Sequence, residues 1–259
     1  MYGARSFTYD GKSSWDNFGL LIADFDNNSV KESEAYTVDV KLDKAPGMIR
    51  FYNCGADLPI PPTCEFTVIS EEEISPEKRS EFLSLVCGRK QFKDLRFYGG
   101  DHEDYVYRCI FTSAKIIWVN GRCFGFKLTA QFDSIYARKA DLNTYKMQNG
   151  KSPLVMNDSD ILDDYVYPMV VIDSVAEGHI QLSNWTDVDD FETIFRFDNL
   201  KDGLITVDNE TRCVFAADKE ILSKFNKTWL RLFPGRNTIY YEGNCEVTIS
   251  FPTYKLIGY

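Results

Sequence analysis

Apolar and polar residues alternate with period two along much of the chain, the mark of strands with one buried face. Tyr36, Val38, Val40 and Leu42 alternate with Thr37, Asp39 and Lys41, and Cys64, Phe66 and Val68 alternate with Glu65 and Thr67. The clearest run sets Phe124, Phe126, Leu128, Ala130 and Phe132 against Lys127, Thr129 and Gln131. Further strands are predicted from Phe7 to Tyr9, Phe18 to Ile22, Tyr105 to Phe111 and Ala114 to Val119. Asp10-Gly11 reads as the turn between the first two of these. Asn120-Gly121 reads as a two-residue hairpin loop before the Phe124 run. Pro59, Pro61 and Pro62 predict a loop, and Gly99-Gly100-Asp101 predicts a turn. One segment carries helix punctuation instead: Ser75 at the N-cap, Pro76 at the first helical position, Glu77 early and Gly88 at the end. Phe82, Leu85 and Val86 give it a single apolar stripe, and it is the one helix the pattern predicts.

Near residue 138 the texture changes. The stretch ARKADLNTYKMQNGKSP is polar, lacks a period and carries Asn149-Gly150 and Pro153, so a boundary is placed there, between domains 1–138 and 139–259. Short runs follow: Tyr165 to Ile172, Gly178 to Leu182, Phe191 to Phe197, Leu204 to Val207 and Arg212 to Phe215. Asp202-Gly203 is read as a hairpin turn. The chain then closes on Trp229, Leu230 and Leu232, a turn at Pro234-Gly235, the run Thr238 to Tyr241, a turn at Gly243-Asn244 and a last strand. Cys245, Val247, Ile249 and Phe251 face one side of that strand, and Glu246, Thr248 and Ser250 the other. Pro followed by Gly suits a type II turn, because Gly takes positive φ at little cost. The last two runs are expected to pair as a closing hairpin. About seven strands in ~120 residues predict an antiparallel sandwich.

Composition sharpens this picture. A chain of 259 residues is long enough to bury a sizeable core without disulfide staples. The 15% aromatic share, with 19 Phe and 15 Tyr, agrees with strands. The net charge of −10 and the absence of a Lys/Arg cluster argue against nucleic-acid recognition. The seven cysteines lack CxxC spacing, and Cys109, Cys123 and Cys245 fall at strand positions as small buried hydrophobes. Folding in a reducing compartment fits this usage. The N-terminal MYGARSFTYDG has no apolar core, so no signal peptide is expected, and no run reaches the length of a membrane span. Sequons at Asn27, Asn157, Asn184, Asn209 and Asn226 are read as chance.

Candidate chemistry is sparse. His102 lies in the polar turn GGDHEDY and His179 in a strand. Without a GxSxG elbow both read as structural rather than catalytic. Asp158, Asp160, Asp163 and Asp164 form one acidic cluster, and Asp187, Asp189 and Asp190 a second. Calcium would want such oxygen ligands, but the EF-hand spacing is missing, so solvated loop charge is the preferred reading. No phosphate loop, dinucleotide fingerprint or zinc spacing occurs. No catalytic residue, cofactor ligand or metal ligand is therefore assigned. Trp15, Trp118, Trp185 and Trp229 could line a sugar platform. Trp118 beside its hairpin and Trp229 in the core read as structural, which leaves Trp185 as the exposed aromatic.

Several phrases together resemble one family. They are Phe7-Thr8-Tyr9-Asp10-Gly11-Lys12-Ser13-Ser14 followed by Asn17-Phe18-Gly19-Leu20, and the strand Leu128-Thr129-Ala130-Gln131-Phe132-Asp133-Ser134. The closing phrase from Trp229 through Pro234-Gly235-Arg236-Asn237 and Glu242-Gly243 to Phe251 joins them, with Tyr167-Pro168 and Asn184 upstream. The chain resembles the distal tail proteins of long, non-contractile-tailed bacteriophages. The resemblance implies a mainly β protein: an N-terminal β-barrel or sandwich-like ring domain with one helix, and a C-terminal antiparallel β-sandwich of galectin-like or jelly-roll type on the outside. It further implies a hexameric ring at the tail tip, joining the tail tube protein to the tail-tip or fibre protein of the host-adsorption apparatus. The implied product is a structural virion protein made in the host cytoplasm, neither an enzyme nor a membrane-inserted protein. The long insertion that adds a sugar-binding module in some members is missing, so direct host binding is not carried over. The alternative expectation is a carbohydrate-binding β-sandwich that recognises host surface glycans, and a hydrolase comes third.

Overall fold

Strands dominate both halves of the chain, and the hydrophobic alternation explains why. A computed structural model describes residues 3–23, 39–44, 46, 49, 52–57, 62–161, 164–174, 178–187 and 194–256. The chain divides into two units, Met1–Arg138 with Leu256–Tyr259, and Lys139–Lys255. Several predicted features lie outside the described residues: Tyr36 to Val38, Pro59, Pro61, Asn27, Asp163, Asp189, Asp190 and the start of the Phe191 run.

The first unit holds β1 (Ser6–Tyr9), β2 (Lys12–Ser13), α1 (Ser14–Phe18), β3 (Leu21–Ala23), β4 (Asp39–Asp43), β5 (Tyr52–Asp57), β6 (Thr63–Ile69), α2 (Pro76–Cys87), β7 (Lys93–Tyr98), β8 (Tyr105–Val119) and β9 (Arg122–Phe132). Its main sheet runs β2-β1-β7-β8-β9-β6-β3 with antiparallel neighbours. The ladder does not close, which corrects the barrel alternative: a single bond from Ile22 N–H to Arg5 O at 2.8 Å brings β3 toward β1 without a ladder among the described residues. Aromatic rings fill the core edge to face. Phe7 and Phe66 sit 5.5 Å apart, Tyr9 and Phe111 4.8 Å, and Phe66 and Phe97 5.6 Å. The helix α2 starts as predicted, with Ser75 Oγ accepting from Lys78 N–H at 3.3 Å, and it buries Phe82, Leu85 and Val86. Phe82 reaches Phe126 of β9 at 4.6 Å.

Local readings changed in two places. Tyr9 pairs with Lys12 across the Asp10-Gly11 turn, and the next residues coil into α1 instead of continuing to a strand. Ser13 caps that helix, accepting from Asp16 N–H at 3.0 Å, and Gly19 ends it in the left-handed region. The two runs from Tyr105 and Ala114 form one strand, β8, with a register shift between Phe111 and Ser113. The hairpin at Asn120-Gly121 stands as read, with Val119 opposite Arg122 and both loop residues at positive φ.

In the second unit the polar stretch after residue 138 is itself a strand, β10 (Ala137–Met147). Most of its middle residues are exposed on both faces, so alternation left no trace in the sequence. Beyond it come β11 (Leu154–Asn157), β12 (Met169–Ser174), β13 (Gly178–Asn184), β14 (Ile194–Leu200), β15 (Gly203–Asp208), β16 (Cys213–Ala216), a helical turn α3 (Ile221–Lys224), β17 (Gly235–Gly243) and β18 (Glu246–Lys255). Two sheets form, β10-β18-β12-β15-β16 and β11-β17-β13-β14, around a core that includes Val170, Ile180, Leu182, Phe195, Phe197, Tyr241 and Ile249. This is the predicted antiparallel sandwich.

The closing hairpin is corrected. β17 pairs with β11 and β13, whereas β18 pairs with β12. Gly243-Asn244 therefore carries the chain from one sheet to the other. Both strands have a buried face, and putting those faces opposite each other buries more apolar surface than laying them side by side. Tyr241 fastens the crossing: its hydroxyl donates to Cys245 O at 2.5 Å and accepts from Cys245 N–H at 3.1 Å. Gly243 sits where a Cβ would come within 2.6 Å of His179 O. Asp202-Gly203 is likewise a crossing, from β14 in one sheet to β15 in the other.

Candidate functional site

The segment from Trp229 to Pro234 has almost no regular structure, so its backbone groups need partners from elsewhere. Leu232 exchanges two backbone bonds with Val166, at 2.9 and 3.0 Å. Buried asparagines supply the rest. Asn209 Oδ1 accepts from Leu230 N–H at 2.8 Å, and Asn184 Nδ2 donates to Arg231 O at 3.0 Å. Asn157 Nδ2 donates to Phe233 O at 3.0 Å. Asn237 Oδ1 accepts from Phe233 N–H at 2.8 Å and from Asn184 Nδ2 at 3.0 Å, while its Nδ2 donates to Phe233 O at 2.8 Å and Gly235 O at 3.2 Å. Gly235 lies at φ +85°, the positive value the predicted Pro-Gly turn requires.

Arg231 leaves this segment and meets Asp187 with two nitrogens, Nε to Oδ2 at 2.6 Å and Nη2 to Oδ1 at 2.9 Å. Its guanidinium lies 4.3 Å from the Tyr165 ring centre and 5.8 Å from that of Phe233. The hydrogen bonds that Arg231 donates to Asp187 hold it in its charged form, against the opposing pull of burial. Beside this pair, Trp185 stacks on Tyr240 with ring centres 5.1 Å apart and planes 12° apart. Trp185 is 60% exposed, and its backbone N–H donates to Thr238 O at 2.9 Å. The arrangement can fix a loop and present a flat aromatic surface. It contains no nucleophile set against a base.

The structure separates the other candidates. His102 and His179 fall in different units. His102 is buried, stacks on Tyr107 and shares a 2.5 Å hydrogen bond between its Nδ1 and the Tyr107 hydroxyl. Burial holds its pKa below the usual histidine value. His179 is exposed on β13, in a shallow depression lined also by Gly178, Arg196, Asp198 and Asn199. Asp160 pairs with Lys255 at 2.7 Å, and Asp164 Oδ1 accepts from Tyr165 N–H at 2.8 Å. Asp158 is exposed. Among the described residues no group of three or more His, Cys, Asp or Glu is placed to hold a metal ion. Trp229 packs on Phe225, and Trp118 projects from the β8–β9 hairpin with Arg79 5.2 Å from its ring centre. Cys109, Cys123 and Cys245 are buried as predicted, and burial pushes the Cys64 thiol up to about 12. No described helix is long and apolar enough to cross a membrane. The sequence reading missed Asn157, Asn184, Asn209 and Asn237 as a group and Arg231 with Asp187. The N-x-S/T triplets at Asn157, Asn184 and Asn209 were the available signal for those three, and Asn237, Arg231 and Asp187 had none.

Comparison with known proteins gives this geometry a context. Residues 2–134 match the family described as "Phage tail protein N-terminal domain", and residues 136–251 match "Phage tail C-terminal domain". No curated protein sequence matches the chain. Among solved structures, the fold is similar to that of the Dit protein of phage SPP1, described as "a Paradigm of Hub Adsorption Apparatus in Gram-positive Infecting Phages". The TM-score is 0.65 at 16% identity, covering 96% of this chain and 98% of that one. A chain of the phage P2 baseplate is similar at a TM-score of 0.54 and 13% identity, again with 96% and 98% covered. The chain belongs to the phage tail protein family.

Proposed function

We propose that this phage tail protein forms a hexameric ring at the distal end of a long, non-contractile tail and joins the tail tube to the host-adsorption apparatus. Family membership and the Dit-like fold support the reading. The observation that carries it is the hairpin of β4 and β5. It forms a two-stranded sheet of its own among the described residues, with Asp39 opposite Asp57 and Asp43 opposite Tyr52. A lone two-stranded hairpin is marginal in water. This one also leaves Leu42 exposed and Ile49 93% exposed. A neighbouring copy that covers the hairpin supplies the missing contacts, and closing a ring leaves no copy with an uncovered one.

In this reading the N-terminal unit makes the ring contacts, and the tail tube protein and a tail-tip or fibre protein are the partners. The protein is a non-catalytic scaffold of the virion, made in the host cytoplasm, with no role in nucleic-acid recognition or membrane insertion. Native mass spectrometry of the full chain tests it. The expected species has six times the 29.8 kDa mass of one chain. Removing residues 39–57 should return the protein to a single protomer with its thermal transitions kept. A parent that stays monomeric at high concentration, or a deletion variant that keeps the large species, overturns the reading.

A further inference from the structure

Besides its buried face, the β11-β17-β13-β14 sheet has an outward face of unusual make-up. Arg236, Thr238, Tyr240 and Glu242 point outward from β17, Gln181 and Ser183 from β13, and the exposed Leu154 of β11 lies opposite Thr238. Ser183 lies opposite Tyr240, and Gln181 opposite Glu242. Trp185 follows directly at the end of β13 and stacks on Tyr240. We propose that this face binds a neutral oligosaccharide, with the open face of the Trp185 indole as its stacking platform.

The first argument is pre-organisation. Tyr240 covers one side of the indole and leaves the other to solvent. The backbone that carries the ring is fixed on both flanks. Trp185 N–H donates to Thr238 O, Thr238 N–H donates to Thr186 Oγ1 at 3.0 Å, and Asp187 N–H donates to Asn184 O at 3.0 Å. The Asn184 side chain and the Arg231–Asp187 pair anchor the same loop from inside. Little freedom remains to be lost when a ligand settles on the ring.

The second argument is chemical fit. An aromatic face is electron-rich, so it attracts the C–H face of a pyranose. The hydroxyls at the sugar's rim need donors and acceptors. Gln181 and Ser183 offer both, and Glu242 offers acceptors. Tyr240 and Glu242 are two residues apart on β17, about 7 Å, and β13 lies about 4.8 Å to the side. Platform and polar groups thus reach different sugar rings, which favours a chain over a monosaccharide. Charge gives an anionic ligand no net handle: Arg196 on the neighbouring β14 is held by Asp198 at 2.9 Å, and the outward Arg236 and Glu242 of β17 offset one another. The other sheet of the unit bears exposed Met169, Leu204 and Phe215, a surface better suited to a protein partner.

The proposal does not depend on ring formation, since a single protomer carries the whole face, so the native-mass test and this one fail separately. The full chain, isotope-labelled at its indoles, is titrated with cellohexaose, maltohexaose and chitohexaose and with neutral bacterial cell-wall polysaccharides. At least one probe should shift the Trp185 indole N–H signal saturably, with a dissociation constant of order 1 mM or below. Trp185→Ala should weaken that binding about tenfold or more and move the thermal midpoint by less than ~3 °C. Gln181→Ala and Glu242→Gln, both at surface positions, should weaken binding of the same probe, and they serve if Trp185→Ala misfolds. Silence of every probe up to ~10 mM overturns the proposal. So does binding unchanged in Trp185→Ala, or a silent glycan series alongside a tail-tip protein that loses affinity for that variant.

Discussion

Replacing Asn237 by Ala should destabilise the C-terminal unit by about 3–5 kcal/mol, on the following physical grounds. The side chain is fully buried and makes four hydrogen bonds. Phe233 O keeps a partner in Asn157, so its loss is small. Phe233 N–H and one Asn184 amide hydrogen lose the acceptor they use, and because the Phe233 bond is only partly buried each orphan falls toward the low end of the usual cost, about 1–1.5 kcal/mol. Each of the two remaining bonds, also partly buried, adds about 0.5–1 kcal/mol. The sum is a large part of the ~5–15 kcal/mol that stabilises an ordinary domain. In a unit of this size it should lower the thermal midpoint by roughly 10–20 °C. Calorimetry on the full chain, with near-ultraviolet circular dichroism to follow the aromatic packing, measures it. Asn237→Asp sharpens the test. A carboxylate keeps the two accepted bonds but presents an acceptor to Phe233 O and Gly235 O. Its folded-state pKa is therefore raised, and its penalty should shrink as pH falls. An Asn237→Ala midpoint within ~3 °C of the parent would refute the view that these bonds hold the closing segment.

Arg231→Ala strands the Asp187 carboxylate, which is buried, and should cost about 2–4 kcal/mol by urea unfolding. Arg231→Lys should fall between, because it keeps the charge but not the two-pronged contact. Gly235→Val places a branched side chain at φ +85° with open space around it, so backbone strain alone should cost about 1–2 kcal/mol, and a variant that melts like the parent would sink the turn assignment. Burial depresses the folded-state pKa of His102 below its unfolded value near ~6.5, so the unfolded chain binds the proton more tightly. Its contribution should be complete above that pH and lost as pH falls through the lower folded value. His102→Gln should flatten the fall in thermal midpoint below about pH 6.5, and an unchanged slope would rule out His102 as its source.

Wherever one face is buried and the other wet, the alternation was readable. The run from Phe124 to Phe132 became β9 with every apolar position inside except Phe124, which is half-buried. The Ser75-Pro76 start and the Phe82, Leu85, Val86 stripe became α2 for the same reason. Reading failed where solvent lies on both sides, as along most of β10, because period two then has nothing to report. It failed differently at Gly203 and Gly243. A glycine turn between two strands says that the chain reverses, but not whether the partner lies beside it or across the core. Tyr241 decides that at Gly243, through its bonds to Cys245 on the far side of the turn. The exposed Trp185 was legible from the polar phrase around it, but its stack on Tyr240 was not, because the two residues lie 55 positions apart in the chain.

The recurring N-x-S/T triplets show how a motif dismissed for one function carries another. Asn157, Asn184 and Asn209 are buried, which leaves no room for a glycan on any of them. In three triplets the asparagine Oδ1 accepts the N–H of the residue two positions on: Ser159 at 3.2 Å, Thr186 at 3.1 Å and Thr228 at 3.2 Å. This is the asparagine turn, a local closure that competes with regular structure and so marks where strands stop. Closing the turn with Oδ1 leaves Nδ2 free to donate elsewhere. Asn184 and Asn157 spend it on the carbonyls of the closing segment, and Asn226 spends it on Ile194 O at 2.5 Å. Each residue thus ends one element and ties it to another far along the chain. The tying explains how the stretch from Trp229 to Pro234 keeps one conformation without a ladder of its own. Within this cluster the asparagine donors and acceptors are committed to backbone groups or, between Asn184 and Asn237, to each other.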